Sequence, residues 1–164
     1  MDMKEHWTDI QNVFKNAKSC FVATVNEDGS PHITPIGSLC LRDNYTGYYF
    51  EEFTQKMIKN FKHNNRVCIL AGESRMLFWL RSFFKGICPS TPGVRLYGTI
   101  GERMIGSEEE IAVFKKRVER FRKRKGYKIL WENMKYLREI NFDSFEPVTL
   151  GPMTEHLWKN EKQV

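Results

Sequence analysis

Two β-rich runs, residues 20–25 and 32–41, flank the sequence Asn26-Glu27-Asp28-Gly29-Ser30, and this arrangement narrows the fold more than any other feature of the chain. Cys20-Phe21-Val22-Ala23-Thr24-Val25 is rich in β-branched and aromatic side chains, which suit a pleated, half-buried surface. Asp-Gly supplies the backbone geometry of a tight hairpin turn, so the two runs are expected to pair antiparallel. Pro35 interrupts the returning run His32-Ile33-Thr34-Pro35-Ile36-Gly37-Ser38-Leu39-Cys40-Leu41. Proline has no N–H to give to a ladder, so this strand lies at an edge, at a bulge, or beside something other than a strand.

The remaining pattern surrounds this hairpin with short elements. Trp7, Ile10, Val13, Phe14 and Ala17 recur at helical spacing and predict an amphipathic helix over 4–17. A third strand is expected over 48–52, a helix over 54–63 with Met57, Ile58 and Phe61 inward, and a buried strand over 66–71. Residues 73–92 hold the aromatic-rich Met76-Leu77-Phe78-Trp79-Leu80 and Phe83-Phe84, a segment whose conformation the pattern leaves open. A long strand follows over 94–104. Ser107-Glu108-Glu109-Glu110 is a capping box, which opens a helix carrying Ile111, Phe114, Val118 and Phe121 and stopping near Gly126. Residues 130–136 are expected to be helical, 140–150 to form a last strand, and 151–164 to be an extended tail. Strand and helix do not alternate regularly, which excludes a doubly wound sheet. The expectation is one domain over 1–164, mainly β (α+β), with six antiparallel strands and flanking helices.

Composition adds exclusions. The 164 residues are 41% apolar, enough to bury a core. No window approaches the roughly 18 apolar residues of a membrane span. The opening Met1-Asp2-Met3-Lys4-Glu5-His6 lacks the apolar centre of a signal peptide, so no membrane association and a cytoplasmic location are expected. Cys20, Cys40, Cys68 and Cys88 form no Cys-x-x-Cys pair and suit buried, reduced thiols. His6, His32, His63 and His156 are isolated, so no metal site is expected. Phosphate-loop, dinucleotide, zinc-protease and serine-hydrolase signatures are missing. The net charge of +6 is concentrated over residues 115–128, a tract suited to an anionic partner. Nucleic-acid binding is not expected, because no reading-helix motif accompanies the tract.

Residues 21–70 carry a more specific pattern. Phe21-Val22-Ala23-Thr24-Val25 is followed by Asp28-Gly29-Ser30-Pro31-His32-Ile33-Thr34-Pro35-Ile36-Gly37, by Tyr48-Tyr49-Phe50, by Thr54-Gln55-Lys56, and by Asn60-Phe61-Lys62-His63-Asn64-Asn65-Arg66-Val67. In order and spacing this resembles the pyridoxamine 5'-phosphate oxidase-like family of FMN-binding split barrels. The resemblance implies a six-stranded antiparallel split barrel that binds FMN at a homodimer interface. It places Thr34, Pro35, Ile36 and Gly37 and the strand end Phe50-Glu51-Glu52 against the flavin, and Thr54, Gln55, Lys56 and Met57 at its phosphate. Free amides at a helix start and the Lys56 charge suit a dianion. Three departures stand out. Lys56-Met57 replaces consecutive basic residues, which shifts weight to Lys59 or Arg66. Asn65 replaces a proline. Glu155-His156-Leu157-Trp158-Lys159 stands where true pyridoxamine-phosphate oxidases carry Arg-x-His, which argues against vitamin B6 oxidation.

Of the adjacent Glu51 and Glu52, alternation along a strand sends one to solvent. Trp79, Phe83, Phe84, Trp131 and Trp158 are expected in core or dimer contacts, with a cavity wall as the other reading for the first three. The function expected from the resemblance is FMN-dependent oxidation or reduction of a small molecule, with no proton donor singled out. The alternatives are a flavin-binding or storage module without turnover, or a split barrel that uses deazaflavin or haem.

Overall fold

The computed structural model describes residues 2–157. Helix α1 (Met3–Asn16) starts at Asp2, whose side chain accepts from the Lys4 amide, and it buries Trp7, Ile10 and Val13. Strands β1 (Cys20–Val25) and β2 (Pro31–Ile36) form the expected hairpin. Gly29 turns it at φ +81°, and Asp28 accepts from the Ser30 amide at 3.0 Å. Strands β3 (Cys40–Leu41) and β4 (Thr46–Phe50) follow, then α2 (Gln55–Phe61) and β5 (Arg66–Gly72). The segment that the pattern left open contains α3 (Met76–Lys85), ended by Gly86 at φ +67°. Strand β6 (Gly93–Ile105) leads into α4 (Glu108–Val118), whose capping box forms as expected. A 3-10 turn (Glu119–Phe121), α5 (Lys125–Leu130) and β7 (Tyr136–Pro147) complete the fold.

Several expected boundaries shift. The helix expected over 130–136 lies earlier as α5, and the last strand starts at Tyr136. The tail is not extended as far as it is described. Residues Gly151–Met153 and Glu155–Leu157 form 3-10 turns. No described helix is long and apolar enough to cross a membrane.

One correction matters most. The run 32–41 is two strands rather than one, so the sheet has seven strands instead of six, in the order β2-β1-β5-β6-β7-β4-β3. Strand β2 forms one edge and β3 the other, with only residues 37–39 between them. A flat sheet of seven strands would separate its edges by six steps of about 4.8 Å, roughly 29 Å. The chain from Ile36 to Cys40 reaches at most about 14 Å. The sheet must therefore curl until its edges meet, which makes it a barrel. As an edge strand β2 tolerates Pro35, opposite Phe21.

Ser38 holds the crossover. Its hydroxyl accepts from the Phe50 amide at 3.1 Å and donates to the Phe50 carbonyl at 3.3 Å, replacing a ladder rung across the seam. Register shifts in the β6–β7 pairing at Tyr97/Gly98 and Ile100/Arg103 supply the coiling that closure requires. At the first shift the strands come so close that a Cβ on Gly98 would stand 2.4 Å from the Asn141 carbonyl oxygen.

Closure creates two apolar clusters. Inside the barrel and under α1 lie Trp7, Ile10, Val22, Tyr49, Met57, Ile69, Leu96 and Ile140. Outside β4, under α4 and α5, lie Cys40, Tyr48, Phe50, Phe114, Val118, Tyr127, Met134 and Leu137. Arg42 pins α4 to the sheet by pairing with Glu110 and, at 2.7 Å, with Glu139.

Ser38→Ala removes both bridging bonds and leaves the buried Phe50 amide and carbonyl unpaired. Urea denaturation should show a loss of roughly 1–3 kcal/mol. An unchanged midpoint would mean that the crossover does not depend on this bridge.

Candidate functional site

The crossover and the end of β4 form opposite walls of a cavity of 230 Å³. Pro35, Ile36, Gly37 and Ser38 line one side, and Phe50, Glu52, Phe53 and Thr54 the other. Phe114 and Val118 of α4, with Leu130, Trp131 and Met134, close it. Phe50 and Phe114 meet at 5.2 Å with their rings tilted by 43°, and Trp131 meets Phe114 edge-on at 6.4 Å, so these walls are aromatic. One carboxylate oxygen of Glu52 is buried there without a hydrogen-bond partner. Thr54 Oγ1 is also buried and makes no hydrogen bond of ordinary geometry, although the Tyr49 phenol stands near it. Buried polar atoms without partners are costly, and both of these belong to residues that line the cavity. Larger cavities lie elsewhere, among them two of 630 and 510 Å³ against α1.

The residues expected at a cofactor divide into groups. Pro35, Ile36, Gly37, Phe50 and Thr54 line this cavity together. Thr34 stands on β2 with its hydroxyl 3.5 Å from His32 Nδ1. Met57 is fully buried in the barrel core, so only its backbone could face a ligand. Gln55 and Lys56 are exposed in the first turn of α2. Lys56 borders a shallow recess with Asn26, Glu27 and Asp28 at the hairpin tip. The Asp28 carboxyl is held below its ordinary range, first by the Ser30 hydroxyl and amide and then by the Lys56 charge. Of the substitutes for a second basic residue, Arg66 is engaged by Asp143. Lys59 lies exposed further along α2.

Of the two glutamates expected to divide between core and solvent, Glu52 is half-buried with one carboxylate oxygen enclosed, just past the end of the strand at Phe50. Glu51 turns inward and is 2% exposed. It pairs with Arg138, accepts from the Tyr49 phenol at 3.3 Å, and lies 3.3 Å from Arg103 Nε. Arg138 also donates to the Gly101 carbonyl at 3.0 Å and lies over the Phe61 ring. Burial raises the Tyr49 pKa, and the neighbouring Glu51 charge raises it further. This network anchors the segment that presents Glu52 and Thr54. On the other side of α2, buried Asn60 donates to Thr24 at 2.9 Å and to Asn26 at 3.0 Å, tying the helix to the hairpin.

Glu52 lines the cavity as the resemblance implied, whereas sequence reasoning missed Arg103, Arg138, Phe53 and Phe114 altogether. Arg138 is set opposite Tyr49 by the β4–β7 register, which no local pattern reveals. Phe83 and Phe84 are not core residues, since they are 72% and 89% exposed. Trp79 is half-buried, with its indole N–H on the Glu73 carbonyl. Trp131 packs as expected against the outer cluster, whereas Trp158 and Lys159 lie outside the described residues. Among described residues no group of His, Cys, Asp and Glu could hold a metal ion. All four cysteines are free. Burial pushes the Cys20 thiol up to about 12, which marks it as a core residue rather than a nucleophile. The lining hydroxyl of Ser38 is committed to the Phe50 backbone, so it is no activated nucleophile either.

Glu51→Gln leaves the mostly buried Arg138 without its carboxylate, and Arg138→Met leaves buried Glu51 with only the half-exposed Arg103, so each should cost roughly 3 kcal/mol in denaturant unfolding. The double variant should cost clearly less than the sum of the two. Strict additivity would show that the two groups do not depend on each other.

Comparison with known proteins agrees with this geometry. The family model for pyridoxamine 5'-phosphate oxidase matches residues 7–142. An FMN-binding protein from Syntrophomonas wolfei is 17% identical, with 90% of each chain covered and a TM-score of 0.61. HupZ of group A Streptococcus is 20% identical over 86% of this chain and 92% of its own, with a TM-score of 0.57. An F420 reductase is 13% identical over 83% of this chain and 94% of its own, with a TM-score of 0.55. At these identities the likeness is one of fold. No curated protein matches the sequence. A seam closed by three residues, a cavity at that seam and a family match over most of the chain lead to one statement: this protein belongs to the pyridoxamine 5'-phosphate oxidase family and has its split-barrel fold.

Proposed function

We propose that the cavity at the crossover holds the ring of FMN and that the protein carries out redox chemistry on a small molecule. The observation behind this reading is the pair of buried polar atoms, Glu52 Oε1 and Thr54 Oγ1, on residues that line a cavity with aromatic walls. A flavin ring has two apolar faces and a hydrogen-bonding rim, and the N–H on that rim complements the Glu52 acceptor. The fold is that of an FMN-binding protein from Syntrophomonas wolfei. Bound FMN would supply hydride or electron transfer. The chain's own contribution is positional. Phe50 and Trp131 would exclude water, Pro35 to Gly37 would offer backbone at the ring edge, and Thr54, Gln55, Lys56 and the Met57 amide would take the phosphate. A deazaflavin is the second reading, because an F420 reductase shares the fold.

A homodimer is part of the proposal. At 230 Å³ the cavity falls below the roughly 300–1,000 Å³ of ligand pockets, so a further wall is needed. The chain also presents large apolar surfaces to solvent. Met76, Leu77, Phe83 and Phe84 stand out along α3, each at least 66% exposed. Patches of this kind on a soluble chain mark interfaces. A second copy of the chain is the occupant proposed here.

Two experiments follow. The purified protein should carry a visible flavin spectrum or take up added FMN stoichiometrically, and Lys56→Gln should weaken FMN binding roughly three- to tenfold by removing one partly screened charge. Protein that stays colourless and leaves FMN fluorescence unaltered would sink the assignment. Sedimentation should report a dimer that Phe83→Glu combined with Phe84→Glu converts to a monomer. A wild-type monomer at micromolar concentration would rule the dimer out.

A further inference from the structure

On the far side of Ile36 and Gly37, the two residues it shares with the candidate cavity, lies another cleft of 270 Å³. Its lining includes Lys15, Lys18, Arg117 and Arg120 and, among described residues, no carboxylate. The last turns of α1 and α4 meet there, and their C-terminal dipoles each carry roughly half a negative charge. Those dipoles offset about one of the four positive charges, which leaves most of the cluster uncompensated.

The acidic groups nearest in sequence are engaged elsewhere. Glu110 pairs with Arg42, and Glu119 pairs with Arg122 at 3.2 Å. Arg117 is held in position, because Nη1 donates to the Leu39 carbonyl at 2.8 Å and Nη2 contacts Cys40 Sγ at 3.3 Å. Most of its guanidinium donors stay free. Arg117 and Arg120 belong to the tract 115–128, whose nine Lys or Arg stand against Glu119 alone, a net +8 where the whole chain carries +6. Like charges gathered in a concave site raise the local potential and favour a multivalent anion.

We propose that this cleft binds the multiply charged anionic arm, phosphoryl or polycarboxylate, of the redox partner whose reacting part enters the cavity across Ile36 and Gly37. The link to a redox partner rests on the flavin reading above, whereas the anion site stands on the cleft itself. The two are therefore tested separately.

Inorganic pyrophosphate and citrate are titrated calorimetrically into the full-length protein, with and without FMN, at low salt. Pyrophosphate should bind once per chain, in both forms, with an affinity that falls steeply as salt rises. Lys15→Gln combined with Lys18→Gln, and Arg120→Gln separately, should weaken it at least tenfold and change FMN affinity less than twofold. Lys123→Gln, elsewhere on the basic tract, should leave it unchanged. Tighter binding of citrate than of pyrophosphate would assign the arm to a polycarboxylate, and the reverse order to a phosphoryl group. Absence of saturable binding, indifference to the cleft variants, or an equal loss of FMN and pyrophosphate affinity would each overturn the proposal. Pyrophosphate binding in a protein that never takes up FMN would keep the anion site and remove its connection to a flavin.

Discussion

Three residues, Gly37-Ser38-Leu39, carry the chain from one edge of the sheet to the other, and that short reach is the constraint on which the remaining structure depends. An open sheet cannot satisfy it. Once the sheet curls, the Ile36 end of β2 must lie beside Phe50, with Ser38 as the joint between them. The cavity forms at this seam because the backbone there is bonded through one serine side chain rather than through a continuous ladder. A proline in β2 and an edge position for that strand are two aspects of the same geometry.

The seam sits beside a buried carboxylate with two arginine partners. Glu51 is buried between Arg138 and Arg103 just where β4 stops. A buried carboxylate is tolerable only with such partners, and the arrangement fixes the path of the chain into α2. Glu52 and Thr54 inherit that rigidity, so their unpartnered atoms have defined positions instead of turning out to water. The stability of the network and the shape of the cavity are thus consequences of the same three side chains.

Charge and apolar surface are distributed unevenly around this centre. Cations gather where α1 and α4 end near the crossover, and apolar side chains stand exposed along α3. Neither arrangement improves the stability of an isolated chain. Clustered cations repel, and exposed phenylalanines gain nothing from water. Both features acquire a physical reason when an anion and a second copy are present.

Much of the fold was legible in the residues themselves. Asp28-Gly29 determined the hairpin, the Ser107–Glu110 capping box determined the start of α4, and the apolar period of residues 4–17 determined α1, because each signal acts within a few residues. The family pattern over residues 21–70 likewise led to six lining residues from Pro35 to Thr54. The break in the run 32–41 was not legible, since the groups that replace its ladder belong to Phe50 on another strand. The partners of Glu51 were hidden for the same reason, Arg138 being 87 positions away. Residues 76–85 carry a helical apolar period, but its face, with Met76, Leu77, Leu80, Phe83 and Phe84, is exposed while Phe78 and Ser82 are buried, an orientation that only packing reveals. Local chemistry therefore decided the elements and their turns. Barrel closure decided which ends meet, and so where a site could be, because that depends on distances through space that no stretch of sequence encodes.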